Sequence, residues 1–225
     1  DCLLSRGLGD VYKRQTVHNC VLCITARSSH TRATHKPMKM FNIRSVIAAL
    51  ATVVASGVSA QAVKSVVPGF RAPKADSEYD QKLLDDVSRV GWHHVHIQAD
   101  KSGPPFAFSL GFYANYGLPE VVVFGLPAKA AHQFLNIAAI RVAGEKKPYE
   151  MYKAYDDIAE GMKIAFIPVS RRHYPTYLSY AGWFYQSVKT DFPTIQMVWP
   201  DKRGRLPWED GYDKSFSKFQ PLLDK

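Results

Sequence analysis

The chain has 225 residues, 46% of them hydrophobic and 22% charged, with a formal net charge of +9. Eight of its 29 basic residues but only two of its 20 acidic ones precede Gln61, so residues 61–225 carry about +3, and the basic excess gives no support to nucleic-acid binding. Cys2, Cys20 and Cys23 all lie in that same front part, which excludes a disulfide, a cysteine-ligated zinc and a thiol nucleophile from residues 61–225.

Residues 1–37 show neither apolar periodicity nor turn chemistry. Residues 1–15 resemble a translated sequencing adapter, so this stretch, with its Cys20-x-x-Cys23 spacing, is set aside from the fold. Residues 38–60 read as a signal peptide that starts at Met38 or Met40. Lys39 and Arg44 supply the positive region, residues 46–58 the apolar run, and Val58-Ser59-Ala60 the small residues that a signal peptidase accepts. The apolar run is shorter than the roughly 20 residues a membrane helix needs. The expected mature protein is periplasmic or secreted, has no membrane span, and begins after Ala60 or Ala62.

Residues 61–75, with Pro68, Gly69 and Pro73, read as a loosely ordered tether. A helix is expected over residues 77–90, with Leu83, Leu84, Val87 and Val90 on one face and Gly91 at its end. From Trp92 to Gln98 the period changes to two, with Trp92, His94 and His96 on one strand face. A Gly/Pro turn leads to a second strand over residues 106–113. A third strand, Glu120–Phe124, has consecutive β-branched residues that suit burial on both faces. A helix over residues 128–142 is expected to stop at Gly144. A strand over 162–169, a helix over 175–186 begun by Pro175, and a strand over 194–199 complete the pattern. The expectation is a single α+β domain over residues 76–225, with one mixed, mainly antiparallel sheet of about five strands packed by about three helices.

Three blocks stand out: Gly91-Trp92; Gly103-Pro104-Pro105-Phe106 through Gly111-Phe112-Tyr113, Leu118-Pro119-Glu120 and Phe124-Gly125-Leu126-Pro127; and Trp199-Pro200-Asp201 with Gly204 and Pro207-Trp208-Glu209. Over residues 82–213 or so, the chain resembles the bacterial family named domain of unknown function 4262. That resemblance implies no activity, because the family has none assigned.

The candidate chemistry is therefore read from the residues. His94 and His96 on one strand face would present two imidazoles to a divalent metal, with Glu120, His132 or Asp201 as a third ligand. The alternative is a set of histidines that are solvated or bonded to backbone. Glu120, if buried, would have a raised pKa and could serve as a general base, or could bond backbone amides or Arg141. Ser109 lies outside any Gly-x-Ser-x-Gly elbow, and Gly111 within a strand marks a bulge or a close approach of backbone or ligand, the favoured alternative being a plain twisted core strand. Trp199, Asp201, Arg205 and Trp208 form a rigid aromatic loop that either binds a ligand or folds over the core, with Asp201 suited to an Asx-turn.

These features favour a non-catalytic periplasmic domain that binds a small molecule or a protein. Its ligand-binding residues would be Trp92, Ser109, Tyr113, Trp199, Asp201, Arg205 and Trp208, in a groove between the His94/His96 strand and the loop over residues 199–209. The alternative is a metal-assisted hydrolase built on His94, His96 and Glu120. A flavin-binding split barrel is a third possibility. No organic cofactor is expected.

Overall fold

The computed structural model describes residues 64–159, 161–188 and 192–225. The adapter-like stretch, the expected signal peptide and all three cysteines lie outside the described residues.

Helix α1, Glu78–Val90, starts where Ser77 accepts the Asp80 N–H and Asp80 in turn takes the Ser77 hydroxyl, a reciprocal cap. It ends at Gly91, whose φ of 104° only glycine adopts easily. Leu83 and Val87 are buried, whereas Val90, expected on the same face, is exposed. Strands β1 (His93–Ile97), β2 (Phe106–Leu110) and β3 (Glu120–Phe124) follow as antiparallel neighbours, in the order their short links dictate.

The second strand is three residues shorter than its hydrophobic pattern implies. The chain turns at Gly111 (φ 109°) into a short helix α2, Phe112–Tyr116, closed by Gly117 (φ 69°). Helix α3, Ala128–Glu145, runs through Gly144 and ends at Lys146 in the left-handed region instead. An edge strand β4, Ala154–Ala159, was not apparent from its weak Ala-Tyr-Asp-Asp-Ile-Ala pattern; it pairs antiparallel with β5, Met162–Pro168. The expected helix over 175–186 is divided. A 3-10 turn, Arg171–His173, precedes α4 (Tyr174–Tyr177) and α5 (Ser179–Phe184), with Leu178 (φ −124°, ψ 22°) breaking the run.

Strand β6, Thr194–Val198, pairs parallel with β3 and antiparallel with β5. The fold is α+β, with one mixed, mainly antiparallel sheet of six strands in the order β1-β2-β3-β6-β5-β4. Every residue of β3 and β6 is buried. One face of the sheet packs Ala107, Val121, Val123, Phe166 and Met197 against α3. The other packs Val95, Phe108, Val122 and Phe124 against α1, α4 and α5. Each such large side chain taken out of water contributes about 1.5–3 kcal/mol.

The tether is docked rather than loose. Val66 donates to the Ala114 carbonyl at 2.8 Å, and Phe70 packs on Phe184 and Tyr185. No helix of the described residues is long and apolar enough to cross a membrane.

Candidate functional site

Glu120 is fully buried where β3 begins. Its Oε1 accepts the N–H groups of Gly111 (2.9 Å) and Tyr113 (3.1 Å) and the Tyr185 hydroxyl. Its Oε2 accepts the Ser109 hydroxyl at 2.5 Å, and Ser109 Oγ takes the Val121 N–H at 2.9 Å. Burial pushes the Glu120 carboxyl up to about 7, against four hydrogen bonds that favour the charged form. Burial also drives the Tyr185 phenol well above its ordinary value, and the Glu120 charge adds to this. Among the described residues no cation pairs with Glu120: Arg141 pairs with Glu145 and Asp157. The acid therefore ties the end of β2, the start of α2 and α5 to β3, with both of its oxygens occupied and none of its surface open to a substrate. Ser109 is equally buried and belongs to the same knot.

His94 and His96 face α3, and the structure brings His132 to them. His94 Nδ1 lies 3.5 Å from His132 Nδ1, and the His96 and His132 rings are 6.4 Å apart. His132 Nε2 is 2.9 Å from the Asn136 amide nitrogen, whereas His94 Nε2 is buried without a hydrogen-bond partner. Among the described residues, no group of three or more His, Cys, Asp or Glu side chains is arranged to hold a metal ion. Burial lowers all three imidazoles: His94 well below its ordinary value, His96 to about 4, and His132 less.

Two opposed pH dependences follow. The histidines are neutral in the folded state but protonate near 6.5 when unfolded, so their contribution is whole above 6.5 and is lost as pH falls towards 4. Glu120 has the reverse sign. Its folded pKa exceeds its unfolded value of 4.5, so stability is greatest below 4.5 and is lost as pH rises through 7. Urea denaturation across this range should show a shallow profile for the wild type. Glu120→Gln, with the opposing carboxyl gone, should lose stability more steeply on acidification; parallel profiles would mean that the two effects are not opposed.

The Trp-Pro-Asp…Pro-Trp-Glu loop lies after β6. Asp201 forms the expected Asx-turn, accepting the Arg203 N–H at 2.8 Å. Its oxygens also take the Arg205 and Asp213 N–H groups and, at 3.0 and 2.7 Å, the Arg205 guanidinium. Burial raises this carboxyl, but the Arg205 side chain and the three amides outweigh it and hold the group below the usual carboxylate range. Trp199 is buried and donates its indole N–H to the Phe124 carbonyl at 2.8 Å. Trp199, Asp201 and Arg205 thus build the loop rather than face a ligand, and Trp208 alone of this group is exposed. Two residues that sequence reasoning missed lock the C-terminal tail. Gln220 bonds the Trp199 backbone through both its amide atoms, and Gln196 accepts the Leu223 N–H. The only signal was a polar amide in the middle of the apolar strand β6.

The two walls of the expected groove stand three strand spacings apart. The parallel pairing of β3 and β6 places Trp199 beside Phe124, and the register sets His96 level with Ala107, Val123 and Met197. β2 and β3 also lie between β1 and β6, a separation of about 14 Å. Trp92 is half-buried against Phe112 and Tyr116. Tyr113 lies elsewhere: with Val67, Pro68, Arg71 and Val188 it lines a cleft of about 610 Å³ between the tether, α2 and the end of α5. Ser187 bonds both the N–H and the carbonyl of Arg71, each at 2.8 Å, and pins one wall. Neither the Arg71 guanidinium nor the Tyr113 hydroxyl has a hydrogen-bond partner among the described residues.

These elements define a small α+β domain with a buried acid knot and a separate cleft beneath its N-terminal strap. The chain belongs to the family described as a domain of unknown function (DUF4262), whose model matches residues 86–213. No curated protein and no solved structure matches it.

Proposed function

We propose that the domain is a non-catalytic binding module, working in the periplasm or outside the cell, that holds a small organic acid in the cleft beneath the tether. The observation that carries this reading is Arg71, which has no acid partner among the described residues and lines a cleft walled by Val67, Pro68 and Val188. A guanidinium takes a carboxylate through paired N–H donors, and the apolar walls suit a hydrocarbon or aromatic body. Tyr113 adds a hydroxyl that can donate to the same ligand. The Glu120 knot supports the site from behind: it fixes the Tyr113 N–H and Tyr185 without presenting a reactive group to the cleft.

Calorimetric titration of the full chain with benzoate, and with benzamide as the neutral control, tests the reading. Benzoate should bind saturably, benzamide much more weakly, and Arg71→Ala should weaken benzoate by roughly tenfold or more. Equal binding of benzoate by the wild type and Arg71→Ala, or no saturable heat, would remove the basis for this function.

A further inference from the structure

Tyr152 is one of two non-glycine residues with positive φ among those described, at 62°. L side chains enter that region at a cost. Its backbone is held there just before β4 by an N–H bond of 2.7 Å to the Phe166 carbonyl of β5. Glycine would take the same conformation without strain, yet the position carries a large ring that is 48% exposed. Beside it stands Trp208, 39% exposed, with ring centroids 5.4 Å apart and planes at 77°. Two exposed rings from distant parts of the chain therefore meet as the walls of an open corner.

Charged groups rim this corner. The Tyr152 hydroxyl donates to Asp224 Oδ2 at 3.1 Å, and Asp224 Oδ1 is turned inward and buried, so Oδ2 is the oxygen this acid presents to the corner. Glu209, next to Trp208, accepts the Leu206 N–H on Oε2 at 2.9 Å, while its Oε1 stands 3.8 Å from Lys163 Nζ.

The geometry points to a carbohydrate subsite, in which a pyranose lies with one C–H face on the Trp208 indole and its rim against Tyr152. A pyranose with equatorial hydroxyls has apolar faces and a polar edge. That pattern matches an aromatic wall bordered by carboxylates and an ammonium group. Hydroxyls on the edge of the sugar reach Asp224 Oδ2, beside the Tyr152 hydroxyl, and the Glu209–Lys163 pair, which together offer both acceptors and donors. The corner shares no residue with the Arg71 cleft, so this site stands or falls independently of the organic-acid reading.

The test is a tryptophan-fluorescence titration of the full chain with cellotriose and with a β-linked N-acetylglucosamine trimer, followed by chemical-shift mapping. At least one trisaccharide should bind saturably with millimolar or better affinity, and Trp208→Ala should weaken it roughly tenfold or more. Tyr152→Gly should also lose binding while its Tm stays level or rises, because glycine relieves the left-handed backbone. Tm values and far-UV circular dichroism of the same samples separate loss of the corner from loss of the fold. No saturable response to either sugar, or a response unchanged in both variants, overturns the proposal.

Discussion

Glu120→Ala should be among the most damaging single substitutions in the domain, lowering stability by about 4 kcal/mol. The alanine leaves the Gly111 and Tyr113 N–H groups and the Ser109 and Tyr185 hydroxyls without their acceptor, all in or beside the core. Each buried donor left unmade costs about 1–3 kcal/mol, partly relieved where the site relaxes or admits water. A loss of that size corresponds to a fall in Tm of roughly 8–16 °C for a domain of this length. Glu120→Gln should stay within about 1 kcal/mol of the wild type at neutral pH. Its carbonyl keeps the two backbone bonds, and its amide donates to Ser109 Oγ, which reverses one hydrogen bond instead of deleting it. Urea unfolding of both variants provides the check. An alanine variant as stable as the glutamine one would show that the knot does not hold β2, α2 and α5 together.

The second large effect is expected at Gly111. An added Cβ there would sit 2.5 Å from the Gly91 carbonyl oxygen, 3.0 Å from Val87 Cγ1 and 3.1 Å from Trp92 Cα, at a φ of 109° that L residues rarely adopt. The carbonyl cannot simply retreat, because it accepts the Asn115 amide at 2.9 Å and belongs to the residue that caps α1. Gly111→Ala should therefore cost about 3–5 kcal/mol through combined strain and overpacking. Gly144→Ala is the internal contrast. That glycine lies inside α3 with open space around its Cβ position and no positive φ, so alanine should stabilise by about 0.5–1 kcal/mol. Thermal melts of the two variants should move in opposite directions. A Gly111→Ala protein that melts with the wild type would mean that the close approach of α1 and α2 is not constrained.

The two glycines also show how far local pattern reaches. In the sequence, Gly144 reads as a helix stop and Gly111 as an interruption of a strand. The structure shows the reverse emphasis, with a helix that continues through Gly144 and a strand that ends at Gly111. Helix propensity weighs little once Ala138, Ala139 and Val142 are packed against the sheet. At Gly111 the deciding partner is Glu120, nine residues away, whose carboxylate captures two amides and pulls the chain out of the ladder. The Gly111 close approach was legible in the sequence; that its neighbour is the Gly91 backbone was not.

Sequence alone determined the local and compositional features of this protein. The capped α1, the three antiparallel strands β1 to β3, the doubly buried β3 and the Asx-turn at Asp201 all follow from spacing, alternation and turn chemistry that act within a few residues. The family likeness was carried by the same motif blocks, and the family model covers most of them. Only the tertiary structure decided which of those motifs share a place. The parallel pairing of β3 with β6 sends the Trp199 loop to one end of the sheet and the Glu120 knot to the other, a consequence of long-range register that no single segment encodes. Burial decided the rest. The same carboxylate chemistry becomes a raised acid at Glu120, enclosed in the core, and a lowered one at Asp201, ringed by donors and Arg205.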